Sequence, residues 1–281
     1  MIQSEPIRVF IGSGEASLLE RKVCIHSLRK HTQRPIDIYV FNGTHNAIEL
    51  NDQEPVIAPM SLKVKYKNVT EFSLYRYLIP QVCGYQGKAI YIDSDTICLR
   101  DIGELIDTDL QGCDFLAKPE AYSHAGEALW GLSVMLIDCE KCQFDLELYF
   151  EEIAQGLYTY EDFSCMSPRF LKHHPFSIEE LDPRWNVFDS YDQDTRLIHY
   201  TNLSTQPWKH PNHSYGELWF QYFRDAIADG TVLQTDIDLS LIRSYVRQDL
   251  MAGNSPPQAN VLKQATSALK SVRKLWKPQL V

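Results

Sequence analysis

Short runs of apolar and β-branched residues alternate along this chain with stretches of helical spacing, and this alternation restricts the fold more than any other feature. Strands that alternate with helices are typical of α/β domains built around a mostly parallel sheet. The chain has 281 residues, 44% of them hydrophobic, which is enough for one large core. We predict strands at residues 7–11, 36–41, 88–92, 114–117 and 132–137, and helices at residues 18–30, 73–82, 144–153 and 217–228.

A proline-containing segment near the C-terminus predicts the end of the folded domain. Asn254-Ser255-Pro256-Pro257 has the composition of a linker. We therefore predict an α/β domain with a Rossmann-like central sheet over residues 1–253. Residues 254–281 would then hold the linker and a basic amphipathic C-terminal helix.

Two aspartates follow the most apolar of the predicted strands. Asp93 and Asp95 come directly after Ala89-Ile90-Tyr91-Ile92, and residues i and i+2 of an extended chain point to the same side. Two carboxylates that close repel each other unless a cation or protons lie between them. The pattern favours a hard divalent metal that holds a phosphate-bearing ligand at the end of a sheet strand. The alternative is a solvated turn, where aspartate is common.

Four blocks of sequence form an ordered set along the chain. They are Phe72-Ser73-Leu74-Tyr75-Arg76-Tyr77-Leu78-Ile79-Pro80, residues 88–105, Ser133-Val134-Met135-Leu136-Ile137-Asp138 and residues 197–208. Taken in order, they resemble family 8 glycosyltransferases, which are retaining, metal-dependent enzymes related to glycogenin and to bacterial lipopolysaccharide galactosyl- and glucosyltransferases. The resemblance covers about residues 7–225. It implies a single-domain GT-A-type fold and transfer of a hexose from a UDP-sugar to the hydroxyl of a glycan, lipid-linked or polysaccharide acceptor.

The same resemblance implies the site residues. Asp93, Asp95 and His199 fall at the family's metal ligands, and mixed oxygen and imidazole ligation suits Mn²⁺, with Mg²⁺ as the alternative ion. Arg76 falls where the family directs a basic residue at the donor, and Asp162 falls near the anomeric carbon. A solvated helix face for Arg76 and a helix N-cap for Asp162 are the structural alternatives. The residues implied to contact the UDP-sugar are Ile11, Gly12, Ser13, Arg76, Ser94, Gln206 and Lys209.

The chain departs from the family pattern at two positions. Gly131 stands where relatives carry an asparagine that orients the donor sugar, and Gln206 replaces a lysine that grips the diphosphate. Lys209 or His210 would supply the missing positive charge. Two other functions therefore stay open, a sugar nucleotidyltransferase and a non-catalytic sugar-nucleotide-binding protein.

The charge distribution bears on partners. The formal net charge is −10, yet residues 261–281 carry five basic and no acidic residues, which leaves −15 on the other 260. Nucleic acid as the main partner is excluded, because phosphate binding needs a basic surface.

The C-terminal segment and the cysteine content bear on where in the cell the protein is expected. In residues 261–281 apolar residues recur at three- and four-residue intervals opposite a basic face, so we predict peripheral contact with an anionic membrane, with packing on the acidic domain as the alternative. We find no signal peptide, no apolar run of about 20 residues and seven scattered cysteines. A cytoplasmic protein that docks on the inner face of the membrane is therefore expected.

Overall fold

The centre of the molecule is an eight-stranded sheet in which the strand before the two aspartates lies near the middle. The computed structural model describes residues 5–51, 53–58, 65–66, 70–122 and 126–251. The order in the sheet is β4-β3-β2-β1-β5-β8-β7-β9. Its strands are β1 (Ile7–Ser13), β2 (Ile36–Asn42), β3 (Ala47–Leu50), β4 (Val56–Ile57), β5 (Lys88–Asp93), β7 (Phe115–Tyr122), β8 (Ala128–Asp138) and β9 (Ile178–Glu180).

The parallel part of this sheet sets the position of the site. β1 runs parallel to both β2 and β5, and in its register Gly12 lies opposite Asp93. The carboxyl ends of these strands therefore meet at one edge, where open α/β sheets bind ligands. β7 and β9 are also parallel, while β8 runs antiparallel to β5 and β7, and β3 antiparallel to β2 and β4.

A second, three-stranded sheet brings a distant segment to this edge. It contains β6 (Thr96–Cys98), β10 (Val187–Phe188) and β11 (Leu197–His199) in the order β10-β11-β6. β11 is antiparallel to β6, with His199 opposite Thr96, and the amide of Tyr200 donates to the carbonyl of Asp95 over 2.9 Å. The predicted histidine therefore lies beside the second aspartate.

Helices cover the two faces of the large sheet. The predicted helix at residues 73–82 starts as a 3-10 helix (Tyr75–Leu78) and continues as one α-helical turn. Two more 3-10 helices are Glu15–Ser17 and Pro183–Trp185. The α-helices are α1 (Leu18–His31), α2 (Ile79–Val82), α3 (Gly103–Ile106), α4 (Leu146–Ala154), α5 (Tyr160–Ser164), α6 (Pro168–Leu171), α7 (Gly216–Ala228) and α8 (Gln234–Ile242).

The alternation of side chains along β5 divides the core. Tyr91 belongs to an aromatic cluster on one face of the sheet, whereas Ile90 and Ile92 pack with α1 on the other. A third cluster joins α1 and α7 around Trp208 and Trp219. The α/β fold is as predicted. No helix among the described residues has the length and apolarity needed to cross a membrane. The predicted linker and tail lie outside the described residues.

Candidate active site

Asp93 ends β5, and its carboxylate is held in a largely buried position. Tyr91 Oη donates to Asp93 Oδ1 over 2.7 Å. Gly12 makes room for this hydroxyl, because a Cβ at Gly12 would lie 2.1 Å from it. Burial raises the pKa of Asp93, and the positive charges of Arg76 and His199 oppose that shift. A bound cation would offset the cost of keeping this carboxylate charged.

Arg76 is not on a solvated helix face. Its side chain is 11% exposed, and Nη2 lies 3.6 Å from Asp93 Oδ1. The guanidinium carbon lies 4.5 Å from the centroid of the Tyr91 ring. Nε donates to the carbonyl of Ser73 over 2.9 Å, and Nη1 donates to the carbonyl of Leu132. The guanidinium is therefore fixed beside Asp93, and its role toward a donor stays a prediction.

Asp95 and His199 form a close pair next to Asp93. His199 Nε2 lies 2.9 Å from Asp95 Oδ1, and the imidazole is almost fully buried. Burial lowers the pKa of His199, but the negative charges of Asp95 and Asp93 more than compensate, and the net shift is upward. Nε2 and Asp95 Oδ1 therefore face each other at the place where a cation would bind.

The three predicted metal ligands come together in space. One ligand atom from each of Asp93, Asp95 and His199 lies within 4.8 Å of the other two. Two carboxylates and one imidazole suit a hard or borderline divalent ion such as Mg²⁺ or Mn²⁺. The donor set therefore fits a divalent metal ion.

Gln206 and Lys209 lie behind Asp95. Gln206 is buried, and its Nε2 donates to Asp95 Oδ2 over 3.1 Å and to the carbonyl of Tyr200 over 2.9 Å. Lys209 Nζ donates to Gln206 Oε1 over 3.0 Å. The glutamine thus positions Asp95, and the exposed lysine places a positive charge one side chain away from it.

The end of β1 adjoins the two aspartates as the sequence predicts. The amide of Ser94 donates to the carbonyl of Gly12 over 3.2 Å. Ser13 is buried and its Oγ accepts from Arg21 Nη1 over 3.5 Å. The Ile11 side chain belongs to the sheet core. Gly12, Ser13 and Ser94 are therefore the members of this group that border the site.

A cavity of about 270 Å³ opens beside Asp93 and Arg76. Four of its lining side chains are aromatic, and the wall comes from residues 70–77, from Asp93 at the end of β5 and from α5. Small-molecule sites typically combine such apolar walls with a few polar groups. The other lining residues are Thr70, Phe72, Ser73, Leu74, Tyr77, Tyr160, Phe163 and Ser164.

The Asp162 carboxylate is bonded within its own helix region. Oδ2 accepts from the amide of Thr159 over 2.9 Å in a capping box, and Oδ1 accepts from Ser167 Oγ over 2.7 Å. These contacts give Asp162 a structural function close to the N-cap alternative, with Thr159 as the capping residue. Its catalytic role stays a prediction.

The space left by Gly131 is taken by a carboxylate. A Cβ at Gly131 would lie 1.9 Å from Glu120 Oε1. The register of β7 and β8 is irregular between Pro119 and Ala121, and such a bulge redirects the side chain of the extra residue. The position where relatives have an asparagine is therefore covered by Glu120.

Glu20 is a buried acid in α1. Nothing in the sequence indicated that its side chain would be buried rather than exposed to solvent. It is 3% exposed, and Oε2 has no hydrogen-bond partner within the described part of the chain. Burial raises its pKa to about 7, with Lys209 lowering it and Asp95 raising it. At neutral pH this carboxyl is thus partly protonated behind the site.

Comparison with known families and proteins supports the sequence resemblance. Residues 9–145 match the family described as Glycosyl transferase family 8. Among curated proteins, Protein CDI of Arabidopsis thaliana is 31% identical over 112 residues, which cover 37% of this chain and 38% of that protein. The match therefore spans well under half the length of that relative.

Solved structures share the fold. The galactosyltransferase LgtC, described in complex with donor and acceptor sugar analogs, is 15% identical with a TM-score of 0.59, covering 80% of this chain and 100% of LgtC. The glycosyltransferase GlyE of Streptococcus pneumoniae TIGR4 is 16% identical with a TM-score of 0.53, covering 86% of this chain and 66% of GlyE. At such identities the likeness shows the fold, which is the GT-A type.

Proposed function

We propose that this chain, whose residues 9–145 match the family described as Glycosyl transferase family 8, transfers a hexose from a UDP-sugar to an acceptor hydroxyl with retention of configuration. The observation that carries the proposal is the convergence of Asp93, Asp95 and His199 within 4.8 Å, where β5 of the large sheet and β11 of the second sheet end. A cavity lined by Arg76 and Asp93 adjoins this group. Such an arrangement suits a charged diphosphate at the metal ligands and a sugar in the cavity.

In this proposal Asp93, Asp95 and His199 hold Mn²⁺ or Mg²⁺. When bound, the ion would supply positive charge to the diphosphate that leaves as the glycosidic bond breaks. Arg76, already fixed by two carbonyls, offers its fork to the donor phosphates. Relatives have a lysine at the position of Gln206. Lys209, which contacts Gln206, would supply that positive charge instead.

The remaining predicted donor contacts have supporting roles in the proposal. Gly12, Ser13 and Ser94 border the nucleoside, because they lie where β1 and β5 end together. The Glu120 carboxylate can accept hydrogen bonds from sugar hydroxyls in the space over Gly131. The acceptor is proposed to be a glycan, lipid-linked or polysaccharide precursor.

A donor screen tests the function. The protein is incubated with Mn²⁺ and UDP-glucose, UDP-galactose or UDP-N-acetylglucosamine, with and without acceptor extracts, and the products are resolved by chromatography. Metal-dependent release of UDP supports a glycosyltransferase. Exchange of pyrophosphate identifies a nucleotidyltransferase instead, and tight binding without turnover identifies a sugar-nucleotide-binding protein.

Replacing His199 with alanine is expected to weaken the binding of Mn²⁺ and of UDP together, since one ion would link both. We expect the loss in metal affinity to exceed the roughly 10- to 100-fold that removal of an outer-shell partner costs. Calorimetry with Mn²⁺ alone and with Mn²⁺ plus UDP measures the two affinities. His45→Ala is the control, because His45 is an exposed histidine near Glu15. Unchanged metal-dependent UDP affinity in His199→Ala would make His199 a structural residue.

We also propose that the chain is cytoplasmic and that residues 261–281 dock reversibly on the inner face of an anionic membrane. The five basic residues of this segment support the proposal, each contributing on the order of 1 kcal/mol near such a surface. The full-length protein should co-sediment with anionic vesicles at low salt and less so at high salt. A variant with Lys270→Glu, Arg273→Glu and Lys277→Glu should stay in solution, and equal sedimentation of both proteins would contradict docking.

A further inference from the structure

We propose that Asn186 is a positioning residue that fixes the orientation of the His199 ring, with Nδ1 against its amide oxygen and Nε2 turned toward Asp95, where a cation would bind. Asn186 follows the 3-10 helix Pro183–Trp185, and no sequence motif singled it out. The inference rests on the proposed metal-binding function of His199. Asn186 is not one of the proposed metal ligands, but in this inference it controls whether His199 is oriented to act as one.

The two nitrogens of His199 face different partners. Nδ1 lies 3.1 Å from Asn186 Oδ1, and Nε2 lies 2.9 Å from Asp95 Oδ1. A neutral imidazole carries one hydrogen, and a nitrogen that binds a cation must give up its own. When Nε2 binds the ion, the hydrogen therefore resides on Nδ1 and needs an acceptor. An amide oxygen can accept that hydrogen, and Asn186 Oδ1 is placed to do so.

Burial makes this acceptor necessary. Asn186 is 0% exposed and His199 is 4% exposed, so solvent has little access to replace the amide oxygen. Without the amide, the Nδ1 hydrogen would lie buried and unpaired whenever the cation is bound. The tautomer with hydrogen on Nε2 would then be favoured, and that tautomer competes with the cation for the same atom.

Asn186 is itself held from several sides. Its Nδ2 donates to Ser133 Oγ over 3.0 Å, which leaves Oδ1 for the histidine. Lys118 Nζ donates to its backbone carbonyl over 2.8 Å. The next residues form β10, in which Phe188 lies opposite His199 and packs its ring edge-on at 5.6 Å between centroids. The amide therefore has a defined place relative to the imidazole.

The test combines a measurement on the metal-free protein with a measurement of metal affinity. ¹⁵N NMR of histidine-labelled protein, at a pH where the His199 ring carries both hydrogens, reports whether the Nδ1 hydrogen is held in a slowly exchanging hydrogen bond, and EPR titration with Mn²⁺ alone reports affinity. In Asn186→Leu we expect the Nδ1 hydrogen bond to be lost and the Mn²⁺ affinity to fall about 10- to 100-fold. Asn186→Asp keeps an acceptor oxygen, so it should retain the Nδ1 hydrogen bond and most of the affinity.

Two further variants separate positioning from stability. Asn51→Ala removes a side chain that accepts a hydrogen bond from the amide of Ile38, away from His199. It should lower the melting temperature without changing the NMR signals of His199. Ser133→Ala should loosen the amide and reduce affinity about two- to threefold, a smaller effect than loss of the acceptor. These comparisons remain informative even when Asn186→Leu folds poorly.

The outcomes distinguish the inference from the proposed function. An unchanged Nδ1 hydrogen bond of His199 and unchanged Mn²⁺ affinity in Asn186→Leu overturn the positioning role of Asn186. Equal losses in Asn186→Asp and Asn186→Leu also overturn it, because the acceptor would then be irrelevant. Absence of Mn²⁺ binding by the unmodified protein overturns the metal-binding function, whereas the loss of the Nδ1 hydrogen bond in Asn186→Leu would still be measured.

Discussion

Replacing Asp95 with asparagine is expected to abolish metal-dependent turnover of the UDP-sugar while the fold stays intact. Asp95 Oδ1 faces His199 Nε2, and Oδ2 accepts from Gln206 Nε2. An asparagine offers only one oxygen, so its amide nitrogen must face one of these two donors, and the negative charge is lost. We expect the rate to fall on the order of 10²- to 10³-fold, as for the loss of one group that stabilises transition-state charge.

Steady-state kinetics with Mn²⁺ and circular dichroism measure the two parts of this expectation. Asp107→Asn is the matched control, because Asp107 is an exposed aspartate that pairs with Arg34 away from the site. The control should keep its rate. Near-normal activity of Asp95→Asn with Mn²⁺ would show that the carboxylates do not hold the ion.

Replacing Arg76 with methionine is expected to reduce both stability and activity. The change keeps the aliphatic stem but leaves the carbonyls of Ser73 and Leu132 without their donor and Asp93 without its nearest arginine. Loss of donors to buried acceptors and of one partner of a buried charge pair should lower the free energy of unfolding by about 2–4 kcal/mol. The pKa of Asp93 should rise further, since Arg76 opposes the effect of burial. Donor turnover should fall on the order of 10²-fold or more.

Arg76→Lys separates charge from geometry. Lysine keeps a positive charge near Asp93 but cannot contact two carbonyls and a phosphate in one plane. Denaturant unfolding should therefore show a smaller loss of stability than in Arg76→Met, while turnover remains strongly reduced. Full activity of Arg76→Lys would mean that only the charge matters, and full activity of Arg76→Met would remove Arg76 from the proposed mechanism.

The predictable part of the site lies where local sequence decides the geometry. Asp93 and Asp95 follow an apolar run that forms β5, and His199 ends the short strand β11, so a strand-end position could be expected for all three. The resemblance to family 8 then indicated that these two segments belong to one site. The buried state of Arg76 also follows from its apolar neighbours, because a charged group among them needs partners.

Other features depend on contacts between segments far apart in the chain. The roles of Gln206 as a partner of Asp95 and of Asn186 as a partner of His199 arise from loops that meet only in the folded protein. Glu120 covers Gly131 because of a bulge between β7 and β8, and strand register is not visible in a single sequence. Asp162 has the right residue type near the cavity, yet its carboxylate is used within its own helix region.

The sequence by itself determined the α/β fold class and the strand that carries the two aspartates, because hydrophobic periodicity is a local property. His199 was associated with the two aspartates only through the family resemblance. Only the tertiary structure decided which oxygens and nitrogens face one another. Hydrogen-bond partners at about 3 Å depend on strand register, on helix starts and on side-chain burial, and these result from packing of the whole chain. The pairing of His199 with Asp95 on one nitrogen and with Asn186 on the other is such a result.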